Sequence, residues 1–299
     1  MCQLWMLLIV LFALSLLCCG ENSEGDEEIE QPKCGMTSPF PLDLVVKTTE
    51  GQAKPGEFPW TIALISNETF IGGGSLIAPN IVLTAAHIVL NKSAQDIIVS
   101  AGEWEYGKAL EQYPFEEANV VKIVSHEKFH YKTGTNNLAL LFLDQEYMIT
   151  YRINTICLPR KNWASNDSRC FVAGWGKNGF RDHYYPTVLK KVEMPIVPWY
   201  TCQDQLRKTR LGSRYVLPAG LICAGGEENI DSCTGDGGGA LFCPMAEDPQ
   251  RFEQIGIVNW GIGCKQKDVP GVYTYLPDFR QWIDQQIEAN QFLNDIINE

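Results

Sequence analysis

The chain has 299 residues, 45% of them hydrophobic and 20% charged, and a net charge of −12. That length can bury a substantial core, and the composition excludes both a disordered chain and a multi-span membrane protein. The acid excess also argues against nucleic acid as the main partner, because phosphate binding needs basic surface.

Residues 1–20 form a short uncharged apolar run ending in small residues. The run is short for a membrane span and is followed at once by acids, so it reads as a cleaved secretory signal peptide rather than a signal anchor. Residues 21–46 read as a solvated acidic tail: Glu21 to Glu30 holds six acids and no base, which leaves −6 for the remainder. Short β-type runs follow, at Thr61–Ile65, Ser75–Thr84, Asp96–Ala101, Asn119–Ser125 and Leu138–Leu143. They continue at Phe171–Trp175, Leu189–Val197, Leu241–Cys243, Ile255–Trp260 and Val272–Leu276. Their Val, Ile and aromatic content, punctuated by Gly, Pro, Asn and Asp, predicts an all-β body of antiparallel sandwiches or barrels without intervening helices. Beyond Leu276, the spacing of Phe279, Trp282, Ile283, Ile287, Phe292 and Ile296 predicts one amphipathic C-terminal helix.

Three of the eleven cysteines fall in residues 1–20, leaving Cys34, Cys157, Cys170, Cys202, Cys223, Cys233, Cys243 and Cys264. An even number in an exported chain predicts disulfides, although eight cysteines allow on the order of a hundred pairings. Sequons at Asn67, Asn91 and Asn166 agree with export and mark candidate glycosylation sites. Acids at Glu103, Glu105, Glu111, Glu116 and Glu117 read as a solvated loop, and no metal is assigned.

Three patterns carry candidate chemistry. His87 ends the apolar run LTAAH, and Asn136-Asn137 opens a buried strand. Residues 231–240, DSCTGDGGGA, bring consecutive backbone N–H groups toward a possible ligand. Together with GEFPW (56–60), ICLP (156–159), GWG (174–176), ICAG (222–225) and WG…PGVY (260–273), in this order, they resemble the chymotrypsin/trypsin family. Gly102-Glu-Trp and Cys34-Gly most resemble the arthropod clip-domain protease homologues, the masquerade-like proteins, although no six-cysteine clip module precedes the body.

The resemblance implies two packed six-stranded antiparallel β-barrels over residues 47–299, a cleft between them and a C-terminal α-helix. It implies the pairs Cys170–Cys243, Cys202–Cys223 and Cys233–Cys264, with Cys34–Cys157 tying the tail to the body. The family's bridge beside the catalytic His would join positions held here by Gly72 and Ile88. Of the family's Ser-His-Asp triad, His87 matches, the Asp position is Asn137 and the Ser position is Gly237. Glycine offers no attacking atom, and Asp→Asn alone lowers turnover about 10⁴-fold in such enzymes. Asn259 stands where the family usually has a Ser, and an amide pair with Asn137 would keep that corner satisfied without charge.

Activation in the family cuts before an Ile-Val-Gly-Gly segment, and the new amine pairs with the Asp preceding the Ser. That Asp persists as Asp236, while the matching segment reads Lys47-Thr-Thr-Glu-Gly51. The expectation is that the chain works uncut, with Asp236 in a solvated, zymogen-like position because a buried unpaired carboxylate is disfavoured. Asp231 falls at the base of the specificity pocket, with Asn259, Gly261 and Gly271 on its walls, so a Lys or Arg side chain would fit. The Gly235 and Gly237 amides match the oxyanion hole. The implied protein is a secreted, catalytically inactive homologue that binds extracellular proteins, active serine proteases or their substrates, without a cofactor. An innate-immune or developmental cascade is the implied setting. The alternative is an active trypsin-like endopeptidase with an unrecognised nucleophile; Ser232 and Thr234 are near in sequence, but each is displaced by a register that moves it away from His87.

Overall fold

The computed structural model describes residues 32–38, 47–107, 114–163, 169–179 and 182–297. The expected signal peptide (residues 1–20), the acidic run 21–30, Glu111 and Asn166 lie outside the described residues, as do the side chains of Phe292 and Ile296. Twelve described strands form two closed antiparallel barrels. The first runs β1 (Thr61–Ser66), β2 (Thr69–Ala78), β3 (Ile81–Thr84), β6 (Ala139–Leu143), β5 (Glu116–Ser125) and β4 (Ile98–Ala101) around its circumference. The second runs β10 (Ala240–Pro244), β11 (Phe252–Trp260), β12 (Pro270–Tyr275), β9 (Leu221–Gly225), β8 (Lys190–Val197) and β7 (Arg169–Gly174).

The uninterrupted apolar sequence of β6 has a structural cause. Ala139, Leu141 and Leu143 point into the first barrel's core, among Ile62, Leu64 and Val99. Leu140 and Phe142 point the opposite way, against Ile257 of the second barrel and Leu276, Phe279 and Ile283 of the C-terminal segment. A strand buried on both faces needs no polar alternation. Between the barrels, Phe58, Trp60, Phe171, Phe242 and Phe252 interlock, with the Phe58 and Phe242 centroids 5.0 Å apart. Such aromatic pairs add about 0.5–1.5 kcal/mol each beyond their burial.

The structure corrects the sequence reading at two places. The run at 75–84 is two strands, because Pro79-Asn80 turns the chain and Ser75 pairs with Leu83. Helices do interrupt the strands: α1 (Ala86–Val89) is one turn, and α2 (Trp199–Arg207) lies between β8 and β9. Cys202 and Leu206 of α2, four residues apart, face Leu217, Leu221 and Val272, and the bridge Cys202–Cys223 pins the helix to β9. The C-terminal helix α3 (Arg280–Ile297) buries Ile283 against the β3–β6 face.

All eight cysteines pair: Cys34–Cys157, Cys170–Cys243, Cys202–Cys223 and Cys233–Cys264. Residues 33–36 lie along the edge of the second barrel, where the Gly35 N–H donates to the Thr155 carbonyl and the Phe252 N–H to Gly35. Asn67 and Asn91 occupy exposed turns with positive φ, which asparagine tolerates. Among the described residues no helix is long and apolar enough to cross a membrane, and no His/Cys/Asp/Glu group could hold a metal.

Candidate functional site

His87 sits in α1, directly after β3. Asn137 enters from the second sequence pattern, after Asn136 turns through φ +52° and ties its amide to the Lys128 carbonyl at 2.8 Å. That left-handed step aims Asn137 inward. Its Oδ1 accepts the His87 backbone N–H at 2.9 Å, so its NH2 group faces the other side. One of those hydrogens goes to Asn259 Oδ1 at 2.6 Å, and the other meets His87 Nδ1 at 2.7 Å. Asn259 in turn donates to the Gly134 carbonyl and to Thr274 Oγ1, and Thr274 donates to the Asn137 carbonyl.

This closed amide network fixes the tautomer. With Asn137 donating to Nδ1, the neutral imidazole carries its hydrogen on Nε2, the atom that faces the cleft. Burial also holds the His87 imidazole below its ordinary pKa. A contact with Asn137 would oppose that only if the amide turned its oxygen to the ring, and it turns its nitrogen. His87 is therefore a neutral donor toward the cleft rather than a proton acceptor.

Gly237 lies directly opposite. A Cβ there would stand 3.2 Å from His87 Nε2 and 3.3 Å from Ile88 Cδ1. Ile88 also crowds Gly72, whose Cβ would meet it at 2.8 Å, so the isoleucine fills the volume that a 72–88 bridge would occupy. The glycine turn is clamped between the barrels by Gly73 N–H to the Gly237 carbonyl and Gly238 N–H to the Val258 carbonyl. The Gly235 and Gly237 amides donate to no backbone group in the described residues. Of the alternative nucleophiles, Ser232 Oγ is buried 2.9 Å from Tyr273 Oη, and Thr234 is exposed.

Behind Gly237 the structure overturns an expectation. Asp236 is not solvated: it is 4% exposed and turned inward. Its Oδ1 accepts the Gly176 N–H and its Oδ2 the Cys233 N–H, each at 2.8 Å. The GWG motif makes room for it, since a Cβ on Gly174 would come within 2.5 Å of Asp236 Oδ1 and one on Gly176 would overlap the carboxylate. The Lys190 ammonium lies 4.0 Å from Asp236 Oδ2 and donates to the Lys177 carbonyl at 3.0 Å. Burial pulls the Lys190 pKa down and the Asp236 charge opposes it. The carboxylate thus has an internal counter-charge, which the sequence reading did not include. Residues 51–53, just after the point where a new terminus at Thr48 would arise, stay beside the start of β8: Ala53 N–H donates to the carbonyl of Leu189, the residue before the strand, and Lys191 N–H to the Gly51 carbonyl.

Asp231 lies at the base of a cavity of about 330 Å³ that opens beside His87 and includes Asn259, Gly261, Gly235, Gly237 and Gly271 in its lining. It is 6% exposed. Its Oδ2 accepts the Lys265 N–H at 3.1 Å, and its Oδ1 has no partner. Burial raises its pKa to about 7. Tyr185, absent from the sequence reading, stands at the mouth, with its ring close to Gly235 and Lys177 Nζ 5.2 Å from the ring centroid. Nothing in its local sequence distinguishes it from any exposed tyrosine.

Residues 48–283 match the protein-family model described as Trypsin. The chain is 42% identical to phenoloxidase-activating factor 2 of Galleria mellonella, over 81% of this chain and 84% of that protein. It is 36% identical to inactive CLIP domain-containing serine protease A8 of Anopheles gambiae, over 86% and 72% of the two chains. Protein masquerade of Drosophila melanogaster matches at 35% identity over 79% of this chain but only 22% of its own length. The paired six-stranded barrels and the cleft between them are what that family match calls for, and the chain belongs to the trypsin family.

Proposed function

We propose that this protein is a secreted, catalytically inactive trypsin homologue that acts as a binding protein, a cofactor, decoy or scaffold, in an extracellular proteolytic cascade. One observation carries the reading: opposite His87 Nε2 stands Gly237, so no nucleophile is present where the family's serine attacks. The Asn137 amide adds a second block. It holds His87 in the tautomer whose cleft-facing nitrogen already bears a hydrogen, so the ring would be a poor base even for a restored serine. Oxyanion donors stabilise nothing without a nucleophile to generate the oxyanion.

Binding capacity is a separate matter. The Asp231 cavity has a buried carboxylate in its lining, the charge an amidinium or ammonium would satisfy. The inward Asp236 and its Lys190 partner support a pocket that is formed in the uncut chain. Relatives named as inactive serine proteases and as a phenoloxidase-activating factor support the non-enzymatic role and the cascade, with active proteases or their substrates as partners. Four disulfides fit an oxidising compartment.

The test is calorimetric titration with benzamidine, a mimic of the arginine side chain, alongside an arginyl-peptide hydrolysis assay. Expected are binding that disappears in Asp231→Ala, and no hydrolysis above a His87→Ala control. Hydrolysis abolished by His87→Ala would refute inactivity, and a native processed form beginning at Thr48 would refute uncut action. Absence of benzamidine binding would refute the formed pocket.

A further inference from the structure

A second cavity, of about 700 Å³, adjoins the Asp231 pocket and shares His87, Asn259, Trp260 and Gly261 with it. Two loops build it. The β5–β6 loop contributes Phe129, Tyr131 and Lys132, and the segment after α2 contributes Arg210, Arg214 and Tyr215. Lys132, Arg210 and Arg214 are exposed, and none of them forms a hydrogen bond or ion pair among the described residues. No Asp or Glu lines the cavity. On a chain of net charge −12, a cleft bearing three cations and no acid is a local reversal of the surface.

The floor is apolar: Trp260, Tyr215 and Phe129 line it, while Tyr131 and Val216 stand 70% and 63% exposed at the rim. The two side-chain amides in the wall, Asn137 and Asn259, are engaged with each other. The charged groups left free are the three cations, which a neutral sugar would not neutralise. A polypeptide, in contrast, offers apolar side chains to the floor and carboxylates to the rim. Beside this cleft, the Asp231 pocket presents the opposite charge within one continuous groove.

We infer that the groove takes an extended segment of a partner protein in which acidic residues flank one basic residue: the basic side chain enters the Asp231 pocket and the acids meet Lys132, Arg210 and Arg214. The inference rests on the pocket reading above and adds the class of ligand. It concerns a specificity set by loops of this chain, since the three cations are not part of the amide network or the glycine turn. Exposed ion pairs are individually worth little, so the effect is cumulative and falls with salt.

The experiment compares two fluorescein-labelled peptides binding to the full uncut protein. One carries a single arginine flanked by glutamates, and the other has serines in place of the glutamates. The glutamate peptide is expected to bind about tenfold tighter at ~0.05 M salt, an advantage that disappears at ~0.5 M salt. It should also disappear in the triple variant Lys132→Ser/Arg210→Ser/Arg214→Ser, whose Tm stays at the parent value because the three side chains are exposed. Equal affinity of the two peptides for the parent protein would overturn the inference, as would an advantage that survives in the triple variant. Displacement of the glutamate peptide by a heparin hexasaccharide of higher affinity would overturn it in favour of a sulfated glycan. If Asp231→Ala leaves the glutamate advantage intact while benzamidine fails to bind the parent, the pocket reading fails and the acidic preference stands.

Discussion

Replacing Asp231 by Asn separates what the pocket does from what it costs. The parent carboxyl has one oxygen without a partner, and burial raises its pKa to about 7, against about 3.9 in an unfolded chain. A folded pKa above the unfolded one means that the native state favours the protonated form. The associated stability is complete below about pH 4, is lost as the pH rises toward 7, and stays lost above it. At about 1.4 kcal/mol per pH unit, the gap corresponds to an upper figure of about 4 kcal/mol at pH 8. Water entering the open cavity lowers it, so about 2 kcal/mol is the working expectation. Asparagine does not ionise. The Asp231→Asn protein should therefore match the parent near pH 4 and be more stable at pH 8, with Tm higher by about 4–8 °C. Scanning calorimetry of both proteins at the two pH values measures this directly. A Tm difference that is the same at both pH values, or a variant less stable at pH 8, would refute the reasoning. Benzamidine should raise the Tm of the parent at pH 8 and leave that of the variant unchanged.

Benzamidine affinity of the parent should fall about tenfold per pH unit below pH 7, as Asp231 takes up the proton that opposes the ligand's charge; titration at pH 6 and pH 8 checks it. Lys190→Met should remove the counter-charge of buried Asp236, lower stability by about 2–4 kcal/mol and weaken benzamidine binding, because Asp236 anchors the Cys233 amide of the pocket loop. Adding Asp236→Asn to it should recover part of both, measured as Tm and Kd. Gly237→Ser alone should leave arginyl-peptide hydrolysis undetectable, whereas Gly237→Ser with Asn137→Asp should hydrolyse on the order of 10⁴-fold faster; equal rates would sink the tautomer argument. Cys34→Ser/Cys157→Ser should lower stability by about 2–5 kcal/mol in a melting experiment, since that bridge closes a separation of 123 residues.

Strand content and the C-terminal helix were legible because alternation and helical spacing are local signals, as in Phe279 and Ile283. The split of residues 75–84 was not, because apolar residues on both sides of Pro79-Asn80 gave one continuous run. Helix α2 was missed since its buried face consists of Cys202, Gln203 and Leu206, too few apolar residues to show a period. At the site, the glycine at 237 and the asparagine at 137 could be read from motif positions alone. The inward turn of Asp236 could not, because it depends on Lys190, 46 residues away in sequence and paired across β7 and β8 with Gly174. A lysine opening a strand looks in sequence like an ordinary solvated end. Only the register places its ammonium beside the carboxylate.

The two aspartates show where the chain keeps polar chemistry after the attacking group is gone. Asp236 has two amide donors and a nearby ammonium, so its burial is compensated and holds the loop 233–238 in place. Asp231, five residues earlier in the same loop, has one oxygen that nothing in the chain satisfies. A carboxylate buried in this way destabilises the free protein as the pH rises through about 7, and above that pH a cation from outside would offset the loss. The triad corner, by contrast, has become electrically neutral and internally satisfied through Asn137 and Asn259. Strain relieved at the catalytic corner and retained at the pocket base is the distribution expected of a protein whose remaining work is to hold a basic side chain rather than to cut beside it.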